Sequence, residues 1–305
     1  MNTSSKKVCL WGSVEALAKT LKVPVDDLFA WCGRKKRFVT EEERLIGAKY
    51  RQLKVPHGEF KELLRKIDQQ LKRCPIPNYF YGSRKGVSAI DCALVHLHSP
   101  YILKLDLKDF FPSTDYRRVS NSLSQVCDKE AVLKLLTELC TFQHHLPQGF
   151  PTSTTIAELT LIPLAQRLFG MCNQYGLQLS IYVDDICISG SPVLLRLEAR
   201  ILRMFQEMHF RLNLKKKELR SKQEGIAVTG VFMQNGFCTT KPKFDEKLLK
   251  KIWAYELAQM ICDSTLAEDL LGSIRGQLLW TRQLDESKYL CFLSELRQGQ
   301  MMSGT

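Results

Sequence analysis

The sequence lacks the features that mark secreted, zinc-binding and membrane-spanning proteins. Its 11 cysteines include no C-x-x-C pair, and their odd number and scattered positions indicate buried thiols in a reducing compartment. The first residues, MNTSSKKVCLWG, contain no long apolar segment typical of a signal peptide. Charge-free stretches such as 168–183 contain Asn, Gln and Gly and are too polar to span a bilayer. We therefore predict a soluble protein of the cytoplasm without a membrane partner.

Negative charge is also scarce relative to positive charge. The 305 residues include 44 Lys and Arg against 32 Asp and Glu, which gives a formal net charge of +12. Such an excess suits a polyanionic partner, because each neutralised phosphate releases counterions. The apolar fraction of 45% and the charged fraction of 25% are those of a globular protein and disfavour general disorder.

The hydrophobic pattern predicts an α+β fold. Ser13 is placed as the N-cap of a helix that Pro24 interrupts, and alternation from Tyr101 to Leu107 predicts a strand that ends near Asp106. SIYVDDICISG predicts a β-hairpin, and GIAVTGVFMQNGF predicts a second strand pair. Further helices are predicted over about 60–71, 88–96, 116–141, 152–172, 194–209, 244–262, 265–282 and 285–299. Strands and helices mixed in this irregular order favour α+β over a repeating βαβ architecture.

Three acidic residues stand at the points where predicted strands end. Asp106 closes the first strand, and a turn between the two arms of the hairpin would present Asp184 and Asp185 at the sheet edge. Each motif alone is typical of a cap or a solvated turn. Their occurrence in order, with LPQG between them, favours convergence on a pair of Mg²⁺ ions about 3.5–4 Å apart, as nucleotide polymerisation requires.

The motifs resemble those of a known family. LDLKDFFPS, LPQGFPTS and IYVDD are similar to motifs A, B and C of reverse transcriptases, and YRQLKVP, with Arg51, resembles their fingers motif. AVTG at 227–230 resembles the Val-Thr-Gly motif of bacterial retron enzymes. DCALVH resembles their Asn-Ala-x-x-His motif, although Cys92 replaces Asn, and Val183 stands where Ala is more frequent. The resemblance covers roughly residues 40–300.

The resemblance implies a right-hand polymerase architecture in a prokaryotic cytoplasm. Residues 1–35 would form an N-terminal helical extension, and 36–239 would form the fingers and a palm whose antiparallel sheet carries the acidic hairpin. Residues 240–305 would form a helical thumb.

The resemblance also assigns the chemistry of the predicted site. Asp106, Asp184 and Asp185, with the Leu107 carbonyl as a further ligand, would hold two Mg²⁺ ions. Lys216 would protonate the leaving pyrophosphate, and its two lysine neighbours remain alternatives for this role.

Four residues are expected to bind the deoxynucleoside triphosphate. The guanidinium of Arg51 suits the triphosphate, and Phe111 would exclude a ribose 2′-hydroxyl, with Phe110 as the alternative gate. Gln148 and Gly149 would line the nucleotide pocket, where the glycine lets the backbone approach closely.

The residues expected to contact RNA or primer are His96, Val228, Thr229, Gly230, Lys247, Lys250 and Lys251. The alternative for the histidine is a satisfied structural residue, and for the lysines a solvated helix face.

The implied function is that of a retron reverse transcriptase. It would copy a structured non-coding RNA, prime from a 2′-hydroxyl and leave branched RNA–DNA, with a separate effector protein in anti-phage defence. Intron-encoded, diversity-generating and abortive-infection reverse transcriptases are alternatives; the lack of an extension after the thumb favours the retron type. Two more distant alternatives are a palm-fold nucleotide cyclase, which would not need LPQG or a thumb, and a catalytically inactive RNA-binding protein, which would not need three acids.

Overall fold

The computed structural model describes residues 10–46, 49–82 and 84–302. The helices are α1 (Val14–Leu21), α2 (Val25–Arg34), α3 (Gly58–Leu71), α4 (Ala89–Leu94), α5 (Phe110–Ser113), α6 (Tyr116–Leu123), α7 (Glu130–Cys140), α8 (Ser153–Tyr175), α9 (Val193–Glu207), α10 (Pro242–Met260), α11 (Ser264–Leu284) and α12 (Glu286–Met302). The strands are β1 (Val39–Ile46), β2 (Lys49–Pro56), β3 (Tyr101–Asp106), β4 (Gln178–Tyr182), β5 (Asp185–Gly190), β6 (Glu218–Ser221), β7 (Ile226–Val228), β8 (Val231–Gln234) and β9 (Phe237–Thr239). The mixture confirms the predicted α+β class.

The central sheet has the order β4-β5-β3-β6, and all of its neighbouring strands are antiparallel. The predicted acidic hairpin is therefore confirmed as β4 and β5, with β5 beside the strand that ends at Asp106. Leucines of β3 such as Leu103 and Leu105 are buried in the main hydrophobic core, to which α8 contributes Ile156 and Leu161. Because β3 lies in the middle of the sheet and its leucines are buried, the position of its last residue is well fixed.

The first two helices pack into the same core. Ser13 caps α1, since the Ala16 N–H donates to the Ser13 Oγ at 3.2 Å, and Leu17 and Leu28 are fully buried in the main cluster. Residues 1–9, which include most of the N-terminal segment predicted to lack a signal peptide, lie outside the described residues.

Two of the predicted elements differ from the observed ones. The helix expected over 116–141 is interrupted between α6 and α7, where the Val126 carbonyl accepts a hydrogen bond from the Leu10 N–H at 2.9 Å instead of continuing a helix. The predicted strand pair is a three-stranded sheet, because Asn235 and Gly236, both with positive φ, form a tight turn into β9.

The last three helices share a hydrophobic cluster of their own. Leu248 and Ile252 of α10 pack with Ile274 of α11 and Phe292 of α12. Across the part of the chain that the structure describes, no helix is both long and apolar enough to cross a membrane.

Candidate active site

The three predicted acids meet at one end of the central sheet. Asp106 pairs directly with Asp185 across β3 and β5, and the Leu107 N–H donates to the Asp184 carbonyl at 3.2 Å. All three carboxylates line one open cavity of about 630 Å³. The other residues that line it are also charged: Arg51, Lys104, Lys215, Lys216, Lys217, Glu218 and Arg220. The sheet register thus brings together acids that are about 80 positions apart in the chain, as antiparallel pairing predicts.

The turn that carries Asp184 is held in an unusual conformation. Val183 has φ +58°, which is a strained value for a β-branched residue. The segment 79–82 packs against the turn: the Tyr81 N–H donates to the Ile181 carbonyl at 2.8 Å, and a Cβ on Gly82 would lie 2.8 Å from the Val183 nitrogen. This close packing, for which only glycine has room, constrains the turn that carries the two aspartates.

Burial and mutual repulsion set the electrostatics of the acids. Burial, followed by the charge of Asp185, raises the pKa of Asp184. Burial also raises the pKa of Asp185, while the charge of the Lys104 ammonium lowers it in part. Asp106 is ion-paired with Lys216. Three carboxylates thus converge at one point and repel one another, and a bound cation would relieve that repulsion.

The chemistry of these donors fits Mg²⁺, which prefers hard oxygen ligands and typically takes only one or two carboxylates plus substrate phosphates. In the described ranges, no three His, Cys, Asp or Glu side chains already form a metal-binding group. Lys216 donates to the Asp106 Oδ1, so one oxygen of this carboxylate is already engaged. The residues thus fit ions that enter with a triphosphate better than a preformed metal cage.

A second cavity of about 420 Å³ adjoins the acids. Asp106, Asp184 and Lys216 line it together with three residues predicted for nucleotide binding, Arg51, Phe111 and Gln148. Both candidate gate residues border this cavity, but Phe110 is buried in the main core and Phe111 is only half-buried.

Gly149 makes a close backbone contact, but with a neighbouring strand that the sequence did not indicate. It has φ +115°, and a Cβ there would lie 2.6 Å from the Lys54 carbonyl oxygen. The Lys54 N–H donates to the Gln148 carbonyl at 2.7 Å. The close approach that requires glycine is therefore that of strand β2, whereas the cavity lining includes Gln148 but not Gly149.

His96 does not lie at an RNA-accessible surface. Its ring is fully buried, and Nδ1 and Nε2 each lie 2.7 Å from a serine Oγ, Ser189 on β5 and Ser180 on β4. Burial lowers the pKa of His96 to about 4. This placement contradicts the expected RNA contact, because a side chain enclosed between helix α4 and the hairpin strands cannot reach a ligand in solvent.

The remaining predicted contacts divide between surface and interior. Val228 is fully buried, which contradicts a direct contact by its side chain, while Thr229 and the exposed Gly230 form the turn between β7 and β8. On α10, Lys247 and Lys250 are exposed. The third lysine, Lys251, donates to the Ser273 Oγ of α11 at 2.6 Å, so it also joins two thumb helices.

Comparison with known proteins identifies the family. A family model described as reverse transcriptase (RNA-dependent DNA polymerase) matches residues 35–233, which is more than half of the chain. The chain belongs to the reverse transcriptase family. This confirms the resemblance inferred from the motifs.

Individual relatives of the chain are retron enzymes. Retron Mx65 reverse transcriptase of Myxococcus xanthus is 30% identical over 248 residues, covering 73% of this chain and 58% of the relative. Retron Ec86 reverse transcriptase of Escherichia coli is 30% identical over 168 residues, covering 54% and 52% respectively. The chain thus spans between half and three fifths of these relatives' lengths.

A solved structure supports the fold of the chain. Apo telomerase from Candida tropicalis superposes with a TM-score of 0.51 at 10% sequence identity, covering 87% of this chain and 61% of that one. At this identity the likeness concerns the fold alone, and it agrees with the predicted right-hand polymerase architecture.

Two further lysines lie near the acids but were not predicted as site residues. Lys104 and Lys241 both act electrostatically on Asp185, and the Lys104 Nζ donates to the Ala227 carbonyl at 3.1 Å. Lys104 could have been found, because it precedes Asp106 by two positions and so shares its strand face. Lys241 gives no such signal, since it follows β9 and approaches the acids only through the tertiary fold.

Proposed function

We propose that this chain is an RNA-directed DNA polymerase of the retron type. It would copy part of a structured non-coding RNA into DNA from deoxynucleoside triphosphates, priming from an RNA 2′-hydroxyl to leave branched RNA–DNA. A separate effector protein and a role in anti-phage defence complete the proposal. The observation that carries the polymerase activity is the pairing of Asp106 with Asp185 beside Asp184, and similarity to retron enzymes supports the subtype.

The cavity residues suit nucleotidyl transfer. Two Mg²⁺ ions held by the acids and the Leu107 carbonyl would stabilise charge on the attacking and leaving oxygens. The guanidinium of Arg51 would grip the triphosphate, because a planar fork binds phosphate oxygens in pairs. Lys216 borders both cavities, so once released from Asp106 its ammonium could donate a proton to the pyrophosphate.

Nucleic acid would leave the site along the thumb. The exposed Lys247 and Lys250 provide phosphate contacts on α10, and the turn at Thr229 and Gly230 faces the same helical unit, since a Cβ on Gly230 would lie 3.8 Å from the Trp280 ring. Partners of this kind are RNA and its DNA copy.

The polymerase proposal is tested by Asp184→Asn. This change removes a metal-binding charge with little change in shape, so we expect Mg²⁺-dependent incorporation of deoxynucleotides to be abolished while RNA binding stays measurable. Asp27→Asn, in an exposed Asp-Asp pair on α2, is a matched control and should retain activity. Full incorporation by Asp184→Asn would refute the assigned role.

The retron proposal needs a separate measurement. Nucleic acid that co-purifies with the chain should contain a DNase-sensitive strand joined to RNA through a linkage that debranching enzyme cleaves. A co-purified DNA copy with an ordinary 5′ end, and with no such linkage, would leave the polymerase activity intact and exclude this mode of priming.

A further inference from the structure

A third cavity, whose lining differs from that of the two catalytic ones, is strongly basic. It measures about 500 Å³ and is lined by Ser113, Asp115, Arg117, Arg118, Asn121, His209 and Arg211. None of these residues lines either catalytic cavity. Three guanidinium groups against one carboxylate give the cavity a net positive charge even when the histidine is neutral, and the nucleotidyl-transfer chemistry uses none of them.

Part of the wall of this cavity is held in place by specific contacts of Arg118. The Arg118 guanidinium donates to the Met208 and His209 carbonyls, both at 3.1 Å, and stacks 4.4 Å from the centre of the Phe210 ring. It thereby joins the first turn of α6 to the end of α9. The single carboxylate, Asp115, is used as the N-cap of α6, where its Oδ1 accepts from the Arg118 N–H at 2.8 Å.

Two cations remain available on this frame. Arg117 and Arg211 are exposed, and within the described residues neither forms an ion pair or a side-chain hydrogen bond. The Arg211 carbonyl accepts from the Lys108 N–H at 2.8 Å, which ties its backbone to the segment that follows Asp106. Two unpaired guanidinium forks that line one polar cavity suit phosphate oxygens, which they bind through paired, charge-assisted hydrogen bonds.

We propose that Arg117 and Arg211 hold backbone phosphates of a folded RNA at this cavity, outside the two catalytic cavities. The inference rests on the proposed function, because a polymerase that uses a structured RNA as template and primer needs contacts with parts of the RNA that are not being copied. An open cavity that shares no lining residue with the catalytic site fits such a contact better than it fits the nucleotide or pyrophosphate.

The test compares Arg117→Gln/Arg211→Gln with the charge-matched control Arg196→Gln/Arg203→Gln, two exposed arginines of α9 outside the cavity. One measurement is the affinity of the full chain for a long stem-loop RNA as a function of salt. The other is deoxynucleotide incorporation on a short RNA template with an annealed DNA primer. Because each lost phosphate contact removes roughly 0.7–0.9 from the log–log salt slope, we expect the cavity variant to lose about tenfold in affinity with a flatter slope.

The outcomes separate this inference from the proposed function. The cavity variant should keep wild-type incorporation on the short substrate, and the control should keep wild-type RNA affinity. Unchanged RNA affinity in the cavity variant, or an equal loss in the control, would overturn the inference. Poly-glutamate serves as a probe for an acidic protein. A cavity variant that loses binding of poly-glutamate but not of RNA would also overturn the inference, since the cavity would then recognise an acidic protein. Failure of the wild-type chain to incorporate deoxynucleotides would instead contradict the proposed function, and the RNA-binding comparison would still decide the role of the cavity.

Discussion

Acidification should destabilise the fold through His96. The folded protein holds this imidazole neutral, with a pKa of about 4, while the unfolded chain takes up a proton near the ordinary value of 6.5. The stabilisation by the neutral ring is therefore complete above about pH 6.5 and is lost as the pH falls towards 4. With about 1.4 kcal/mol for each pKa unit, the free energy of unfolding should fall by about 3 kcal/mol over this window.

Comparison with His96→Gln isolates this effect. Glutamine can still hydrogen-bond to Ser180 or Ser189, but it has no proton to gain between pH 7 and 4. Urea unfolding of both proteins across this range should therefore show that the free energy of unfolding falls by about 3 kcal/mol more in the wild type than in the variant, because all other titrating groups are shared. His98→Gln, at the exposed histidine two positions later, is the control and should follow the wild type. Parallel curves for wild type and His96→Gln would refute the reasoning.

Two further substitutions test the nucleotide cavity. Phe111→Val should admit ribonucleotides by opening space beside the sugar, measured as the ratio of kcat/KM for the two sugars, whereas Phe110→Val should mainly lower stability because Phe110 is a core residue; unchanged selection in Phe111→Val would assign the gate elsewhere. Gly149→Ala should destabilise the protein by about 1–3 kcal/mol and weaken nucleotide binding, because its Cβ would meet the Lys54 carbonyl at an unfavourable φ. Gly170→Ala, a helical site with open space, should be neutral or slightly stabilising, and an equal response of both glycines would contradict this account.

The sequence predicted the elements whose signals are local. The alternation around Asp106, the two β-branched arms of the acidic hairpin and the helical periodicity after Pro242 each identify an element without reference to the rest of the chain. The convergence of the acids could also be predicted, because motif order implied neighbouring strands.

What could not be predicted depends on tertiary contacts. Within the described residues, strand β6 pairs only with the first four residues of β3. Its sequence, ELRS, does not show the alternation typical of a strand. At the break before α7 the Val126 carbonyl accepts from the distant Leu10 N–H, a contact that local sequence does not reveal. The burial of His96 depends on two serines more than eighty positions away, so the histidine pattern alone could not separate an RNA contact from a structural role.

The contact between Gly149 and strand β2 has a consequence for how the polymerase would choose its substrate. The Lys54 N–H is bonded to the Gln148 carbonyl and the two backbones touch, so the hairpin that carries Arg51 is joined directly to the loop that would lie beside the incoming nucleotide. A tilt of that hairpin on meeting a triphosphate would move Gln148 with it. Grip on the phosphates and fit around the base would then change together, so that mispaired substrates are penalised at both ends.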